Sequence, residues 1–230
     1  MVDERKRFSG TLITSGGGDQ FMKAGIQEND SVESSCGNSQ GCGNRMKVIE
    51  TEIEGVKIIE PDVFGDERGW FCETYNAERY RKVGIENLFV QDNESFSSKG
   101  VVRGLHWQAA PHTQAKLVRV IQGAVWDVAV DIRKESPTFG KHVSMVLTSK
   151  DRRQFYIPRG FAHGFIVLED NTLFSYKCDN LYCPEADRGM RFDDPALGIE
   201  WPDVGVPLTL SPKDQKHPLL ADIEPWEESR

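Results

Sequence analysis

No stretch of this chain approaches roughly 18 consecutive apolar residues, and its charged first residues are not followed by a signal-peptide hydrophobic run. The sequence therefore predicts a soluble, cytoplasmic chain with no membrane partner. Cysteine is scarce: Cys36, Cys42, Cys72, Cys178 and Cys183 are an odd number at irregular spacing, with no Cys-x-x-Cys pair. That argues against a disulfide framework or a zinc ribbon and predicts free thiols in a reducing compartment. Basic residues are outnumbered, 28 Lys and Arg against 36 Asp and Glu, for a net charge of -8. Without a basic field the counterion contribution to nucleic-acid binding is forfeited, although a local pocket for a small anion remains open.

Several catalytic signatures are missing as well. There is no glycine-rich phosphate loop, which removes the foothold for a dinucleotide or P-loop fold. No serine sits in a Gly-x-Ser-x-Gly elbow, and the adjacent Asp193 and Asp194 would project oppositely on an extended chain. His106, His112 and His163 show no His-x-His or His-x-x-x-His spacing, and Gln108 stands where a metal-binding barrel would place a second histidine. No metal and no cofactor are expected.

What is present is a rhythm of short apolar runs and turns. Residues 1–45, with Gly16-Gly17-Gly18 and many turn formers, offer too few apolar anchors to offset the entropy of ordering and are expected to be a flexible extension. Residues 46–230 are expected to be one domain. Candidate strands fall at 56–59, 89–93, 116–121, 124–132, 143–147, 154–157, 164–168 and 172–178, and one or two helical turns at 76–83. In 124–132 the alternation puts Trp126, Val128, Val130 and Ile132 on one face and Val125, Asp127, Ala129 and Asp131 on the other. Gln122-Gly123 reads as a hairpin turn. Many short strands without alternating long helices predict an all-β sandwich or barrel with a small-molecule pocket in its mouth.

The richest segment is Arg103-Gly104-Leu105-His106-Trp107-Gln108, followed by Lys116 at the head of an apolar run. An imidazole titrates near neutrality and can take a proton from carbon, whereas an isolated core histidine is the alternative reading. Lys116 offers a fixed cation for oxygen charge developing on a carbonyl substrate, or is a solvated strand-end lysine. His163, between Phe161 and Phe165, reads equally as pocket wall or satisfied core residue. Tyr176 and Tyr182 fit proton donation or stacking on a base, or plain packing. Asp214 is a loop carboxylate unless it meets His106 in space, where it would orient the ring.

The motifs Pro61-x-Val-Phe-Gly-Asp-Glu-Arg-Gly69, Phe89-Val-Gln-Asp-Asn93, Val102-Arg-Gly-Leu-His-Trp-Gln108, Lys116-Leu-Val-Arg119 and Ile157-Pro-x-Gly-Phe-Ala-His-Gly164 closely resemble the dTDP-4-dehydrorhamnose 3,5-epimerase family. So do Asp127 to Gly140 and Asp194-Pro-Ala-Leu-Gly-Ile-Glu-Trp201, and the likeness runs from about residue 50 to 220. The resemblance implies an all-β, cupin-type jelly roll with short peripheral helices, a homodimer, and no cofactor. It implies epimerisation at C3 and C5 of dTDP-4-dehydro-6-deoxy-D-glucose to dTDP-4-dehydro-L-rhamnose. In that scheme His106 is the base, Asp214 its orienting carboxylate, Lys116 the stabiliser of the C4 enolate oxygen and Tyr176 the opposite-face acid. Arg68, Glu73, Gln91, Asn93, Arg103, His163 and Tyr182 form the substrate-binding set, with Tyr182 stacked on thymine. Arg68 and Glu73 lie on a segment that reaches the partner subunit's pocket in the family.

Trp107, where Phe or Tyr is commoner, and His112 depart from the family pattern. Three other readings remain open: a single-carbon epimerase on a related ketosugar, a noncatalytic nucleotide-sugar-binding cupin, and a metal-dependent cupin oxygenase. Limited proteolysis is expected to leave a resistant fragment beginning near residue 46; one beginning far upstream would refute that boundary.

Overall fold

The computed structural model describes residues 46–227, so the expectation for residues 1–45, with Cys36 and Cys42, lies outside the described residues. Two antiparallel sheets face one another. The first runs in the order β1 (Lys47–Glu50), β2 (Lys57–Glu60), β10 (Gln154–Ile157), β7 (Lys116–Gln122), β12 (Thr172–Cys178), β5 (Gln91–Ser97). The second runs β13 (Asp187–Gly189), β6 (Val102–Gln108), β11 (Phe161–Val167), β8 (Ala124–Asp131), β9 (His142–Thr148). A separate hairpin pairs β3 (Val63–Asp66) with β4 (Gly69–Cys72). This is the all-β, cupin-like architecture expected from the sequence.

Period-two alternation explains the packing between the sheets. Val118 and Val120 of β7, Phe155 and Ile157 of β10, and Phe174 of β12 meet Val125 and Ala129 of β8 and Phe161, Phe165 and Val167 of β11 in one buried cluster. Phe165 and Phe174 stack across the gap with ring centroids 4.2 Å apart. The other face of β8 is buried too, as its alternation predicts. Trp126, Val128 and Val130 pack with Leu105, Trp107, Ala162 and Ile166 under Met190, Leu197 and Val204 of the C-terminal segment. Trp201 meets Trp126 edge-on at 5.0 Å. The central strands of this sheet are buried on both faces because the C-terminal segment is their second cover.

The short helix α1 (Ala77–Arg81) forms where helical turns were expected, with the Asn76 side chain accepting from the Glu78 and Arg79 amides as its N-cap. Its buried Tyr80 packs with Ile59, Leu117 and Tyr156 on the outer side of the first sheet.

One expectation fails. Gln122-Gly123 does not close a hairpin, because β7 pairs with β10 and β12 while β8 pairs with β11 and β9. The turn instead carries the chain from one sheet to the other. Gly123 has φ 80°, and a Cβ there would sit 2.3 Å from Thr172 Oγ1. The glycine signal for a sharp turn is sound; which strands the turn joins is decided by sheet packing. Strand β5 also runs on to Ser97, past the expected end at residue 93, because β12 pairs with it along its full length.

Phe174 is 1% exposed in the core between the sheets. Phe174→Ala is expected to lower the unfolding free energy by about 3–5 kcal/mol in urea denaturation. A loss below about 1 kcal/mol would rule out close packing through this ring.

Candidate active site

The alternation that builds the core also builds the site. Beyond Val118 on the inner face of β7 comes Lys116, and beyond Phe174 on β12 comes Tyr176, so the rows that fill the core end in polar groups at one mouth. Gln91 and Asn93 of β5, with His106 of the facing β6, complete the wall. A cavity of about 340 Å³ is lined by these residues together with Trp107, Gln108, Gln114, Tyr182 and Asp187.

His106 Nε2 donates to Asp214 Oδ1 at 2.7 Å, which is the only hydrogen bond of this ring to a described residue. Nδ1 has no hydrogen-bond partner among the described residues, and the side chain lines the cavity. Asp214 comes from the C-terminal segment, which is tied to the head of β6 by Val102 N to Thr209 O and Thr209 N to Gly100 O, both 2.9 Å. Asp214 is 4% exposed. Burial pushes its carboxyl up, but the hydrogen bond and positive charge of His106 prevail and hold it below the usual carboxylate value. An ionised carboxylate can only accept, so it fixes which ring nitrogen carries the proton.

Lys116 has no side-chain hydrogen bond among the described residues, and burial holds its amine below the ordinary lysine range against the pull of Cys178, Asp127 and Asp187. Burial pushes the Tyr176 phenol up, with Arg103 acting against that shift. Tyr176 therefore keeps its proton at neutral pH. Tyr182 stands at the rim, 53% exposed, its phenol donating to Asp187 Oδ2 at 3.1 Å.

Besides Asp214, which stands behind His106, four predicted site residues lie outside the lining of this cavity. His163 is the register partner of His106 across β6 and β11, yet it is buried and bonded through Nε2 to Asp127 Oδ1 at 2.9 Å. Burial lowers the His163 imidazole and raises the Asp127 carboxyl, so both are driven toward their neutral forms. Arg103 donates from Nη2 to Ser97 Oγ at 3.2 Å. Glu73 accepts from Asn76 and Arg79 beside the helix. Arg68 is 85% exposed on the β3–β4 hairpin, forked onto Asp66 of the same hairpin.

Sequence reasoning missed other residues. Gln108 is 4% exposed and its amide joins two loops, donating to His112 O and Leu181 O and accepting from Cys183 N. No local pattern announces such a clamp. His217 lies 3.5 Å from Asp214 Oδ1 through Nε2 and edge-on to His106 at 5.5 Å. Here a signal existed: Asp214 and His217 are three apart across a 3-10 turn, where side chains at that spacing eclipse.

A cupin-like double sheet that opens on a carboxylate-held imidazole, a half-buried lysine and a protonated phenol has the groups of a jelly-roll enzyme of proton transfer. The family model described as dTDP-4-dehydrorhamnose 3,5-epimerase matches residues 50–222, and the chain belongs to that family. The dTDP-4-dehydrorhamnose 3,5-epimerase of Shigella flexneri is 55% identical over 180 residues, 78% of this chain and 98% of its own. The crystal structure of the dTDP-6-deoxy-D-glucose-3,5-epimerase of Legionella pneumophila, in complex with dTDP-4-keto-L-rhamnose, superposes with a TM-score of 0.76 at 50% identity, covering 80% of this chain and all of that one. A 3'-monoepimerase of Streptomyces bikiniensis in complex with dTDP-quinovose has a TM-score of 0.70 at 34% identity over 74% of this chain and 86% of its own.

The depressed Asp214 value carries a pH prediction. A carboxyl with its folded value below its unfolded one contributes stability in full above the unfolded value, and that contribution is lost as pH falls through the folded one. Asp214→Asn is expected to be less stable than wild type at neutral pH, with the gap narrowing below about pH 4. Urea denaturation from neutral to acid pH measures it, and a gap independent of pH would contradict an ionised pairing.

Proposed function

We propose that this chain inverts C3 and C5 of dTDP-4-dehydro-6-deoxy-D-glucose, giving dTDP-4-dehydro-L-rhamnose, through proton abstraction by His106 and reprotonation from the opposite face by Tyr176. The observation that carries the reading is the convergence of His106, Lys116 and Tyr176 on one cavity, with Asp214 behind the imidazole. A ketone at C4 acidifies the C–H bonds on both neighbouring carbons, so one base and one enolate clamp serve C3 and C5 in turn. Lys116, poorly solvated and without a side-chain partner, suits the C4 oxygen as negative charge develops there. The raised Tyr176 phenol holds the proton that must return to carbon. Asp214 keeps the base in one tautomer.

Gln91, Asn93 and Tyr182 are then the sugar-nucleotide contacts within the cavity, with Tyr182 at the rim where thymine would stack. Arg68 and Glu73 fit the reading through a second copy of the chain. The β3–β4 hairpin exposes Phe64, Trp70 and Phe71 at 50%, 60% and 67%, an apolar surface that a homodimer would cover while bringing Arg68 to the neighbouring cavity. Arg103 and His163 act as substrate contacts only after side-chain movement or as supports of the wall. Nucleic acid is not a partner of so acidic a chain, and among the described residues no helix is long and apolar enough to cross a membrane. A cytoplasmic setting suits a nucleotide-sugar substrate.

The single-carbon alternative is favoured by the monoepimerase likeness, which is lower in identity than the 3,5-epimerase matches. Incubation of the 4-keto-6-deoxyglucose nucleotide with enzyme in deuterated water is expected to load deuterium at C3 and C5. Deuterium at one carbon would select the monoepimerase, and none with folded protein would refute the catalytic reading. His106→Ala is expected to lose exchange by about 10²–10⁴-fold, whereas Tyr176→Phe should retain exchange and lose inversion.

A further inference from the structure

We propose that His106, Asp214 and His217 together form a binding site for a divalent transition-metal ion of the zinc type, whose occupation reversibly silences the epimerase. The ion would be an inhibitor and no part of the reaction.

The geometry points to a metal. His106 Nε2 is 2.7 Å and His217 Nε2 3.5 Å from Asp214 Oδ1, and one donor atom from each of the three residues lies within 4.8 Å of the others. Tetrahedral zinc with bonds of about 2.0–2.1 Å holds its donors roughly 3.3 Å apart, so small movements suffice to enclose an ion. Two imidazoles and one carboxylate are three ligands, leaving a fourth position for water as in open zinc sites.

The independent observation is the state of His217. Its side chain is 9% exposed, and its Nε2 is buried without a hydrogen-bond partner while aimed at the Asp214 carboxylate. A buried ring nitrogen without a partner is costly. A neutral imidazole nitrogen without its proton has a lone pair to offer a metal ion. Its place is built by the fold. A Cβ at Gly189 would lie 2.4 Å from His217 Nε2, and Gly189 is the register partner of His106 on β13. Only a residue without a side chain leaves room for a second imidazole beside the first.

An approach route exists because the His106 side chain is 32% exposed and lines the cavity. Binding would take the Nε2 lone pair of His106, move the ring proton to Nδ1 and draw Asp214 onto the ion. The base then loses both its orienting carboxylate and its basicity, while Lys116 and Tyr176 are untouched.

The inhibition arm rests on the reading of His106 as the base, so binding is measured separately. Cobalt(II) titrated into the full chain is expected to give a visible band of tetrahedral nitrogen and oxygen ligation at one ion per chain, without a thiolate charge-transfer band. His217→Asn should abolish it. Zinc chloride is expected to inhibit exchange of the substrate C–H bonds, EDTA to restore it, and His217→Asn to raise the half-inhibiting zinc concentration about 10–100-fold. Unchanged cobalt binding in His217→Asn, or a thiolate band, would overturn the site. Loss of metal-free activity in both His217→Asn and His217→Gln, with the folded state retained, would show that His217 supports the dyad itself and would overturn its role as a spare ligand. Cobalt binding as described with no epimerase activity in any form would leave the site standing and refute the proposed function instead.

Discussion

The contact between His106 and Asp214 joins two parts of the chain 108 residues apart, and the rest of the site depends on how that distance is closed. A carboxylate so far downstream can meet its imidazole only if the C-terminal segment is held against the second sheet along its length. That segment is held because the outer face of the sheet, with Leu105 and Trp107 of β6, Trp126, Val128 and Val130 of β8 and Ala162 and Ile166 of β11, is apolar and needs a cover. Met190, Leu197, Val204 and their partners supply it, and Thr209 pairs with the head of β6 just before Asp214. Hydrophobic burial thus fixes the position of a charged group, at a scale of about 25 cal/mol for each Å² of apolar surface removed from water.

The same sheet provides two imidazole–carboxylate pairs in adjacent strands with different chemical weight. His163 with Asp127 is enclosed by Phe165 and Phe174 and driven toward neutrality on both sides. His106 with Asp214 is open on one side to the cavity, and its carboxylate stays ionised. Register makes the two histidines neighbours, and solvent exposure separates their roles. A proton carrier must reach both the substrate and a partner that stabilises its charged form, and only His106 meets both conditions.

Much of this was legible from local pattern. Alternation along 124–132 correctly divided Trp126, Val128 and Val130 from Val125 and Ala129, because period two reports the faces of a strand whatever it pairs with. The recurrence of Ala77, Tyr80 and Val83 at threes signals the short helix. The hairpin at Gln122-Gly123 was misjudged because a turn residue reports local backbone geometry and not the identity of the paired strands. Gln108 was weighed only as the absence of a metal ligand, whereas its amide spans loops that are distant in sequence. The spacing of His217 from Asp214 is visible in the sequence, but the room for it beside His106 comes from Gly189, a residue on another strand.

Residue pattern alone sets the strand-rich class, the two-faced burial of β8 and, through its motifs, the family to which the chain belongs. Those properties are local: they follow from side-chain periodicity, turn chemistry and residue identity at short spacing. Packing of the sheets settles which of the candidate residues share a cavity, that Asp214 stays ionised beside His106, and that Arg68 lies outside its own chain's cavity. Distances between residues far apart in sequence, and the dielectric surroundings that shift their proton affinities, exist only after the sheets have packed.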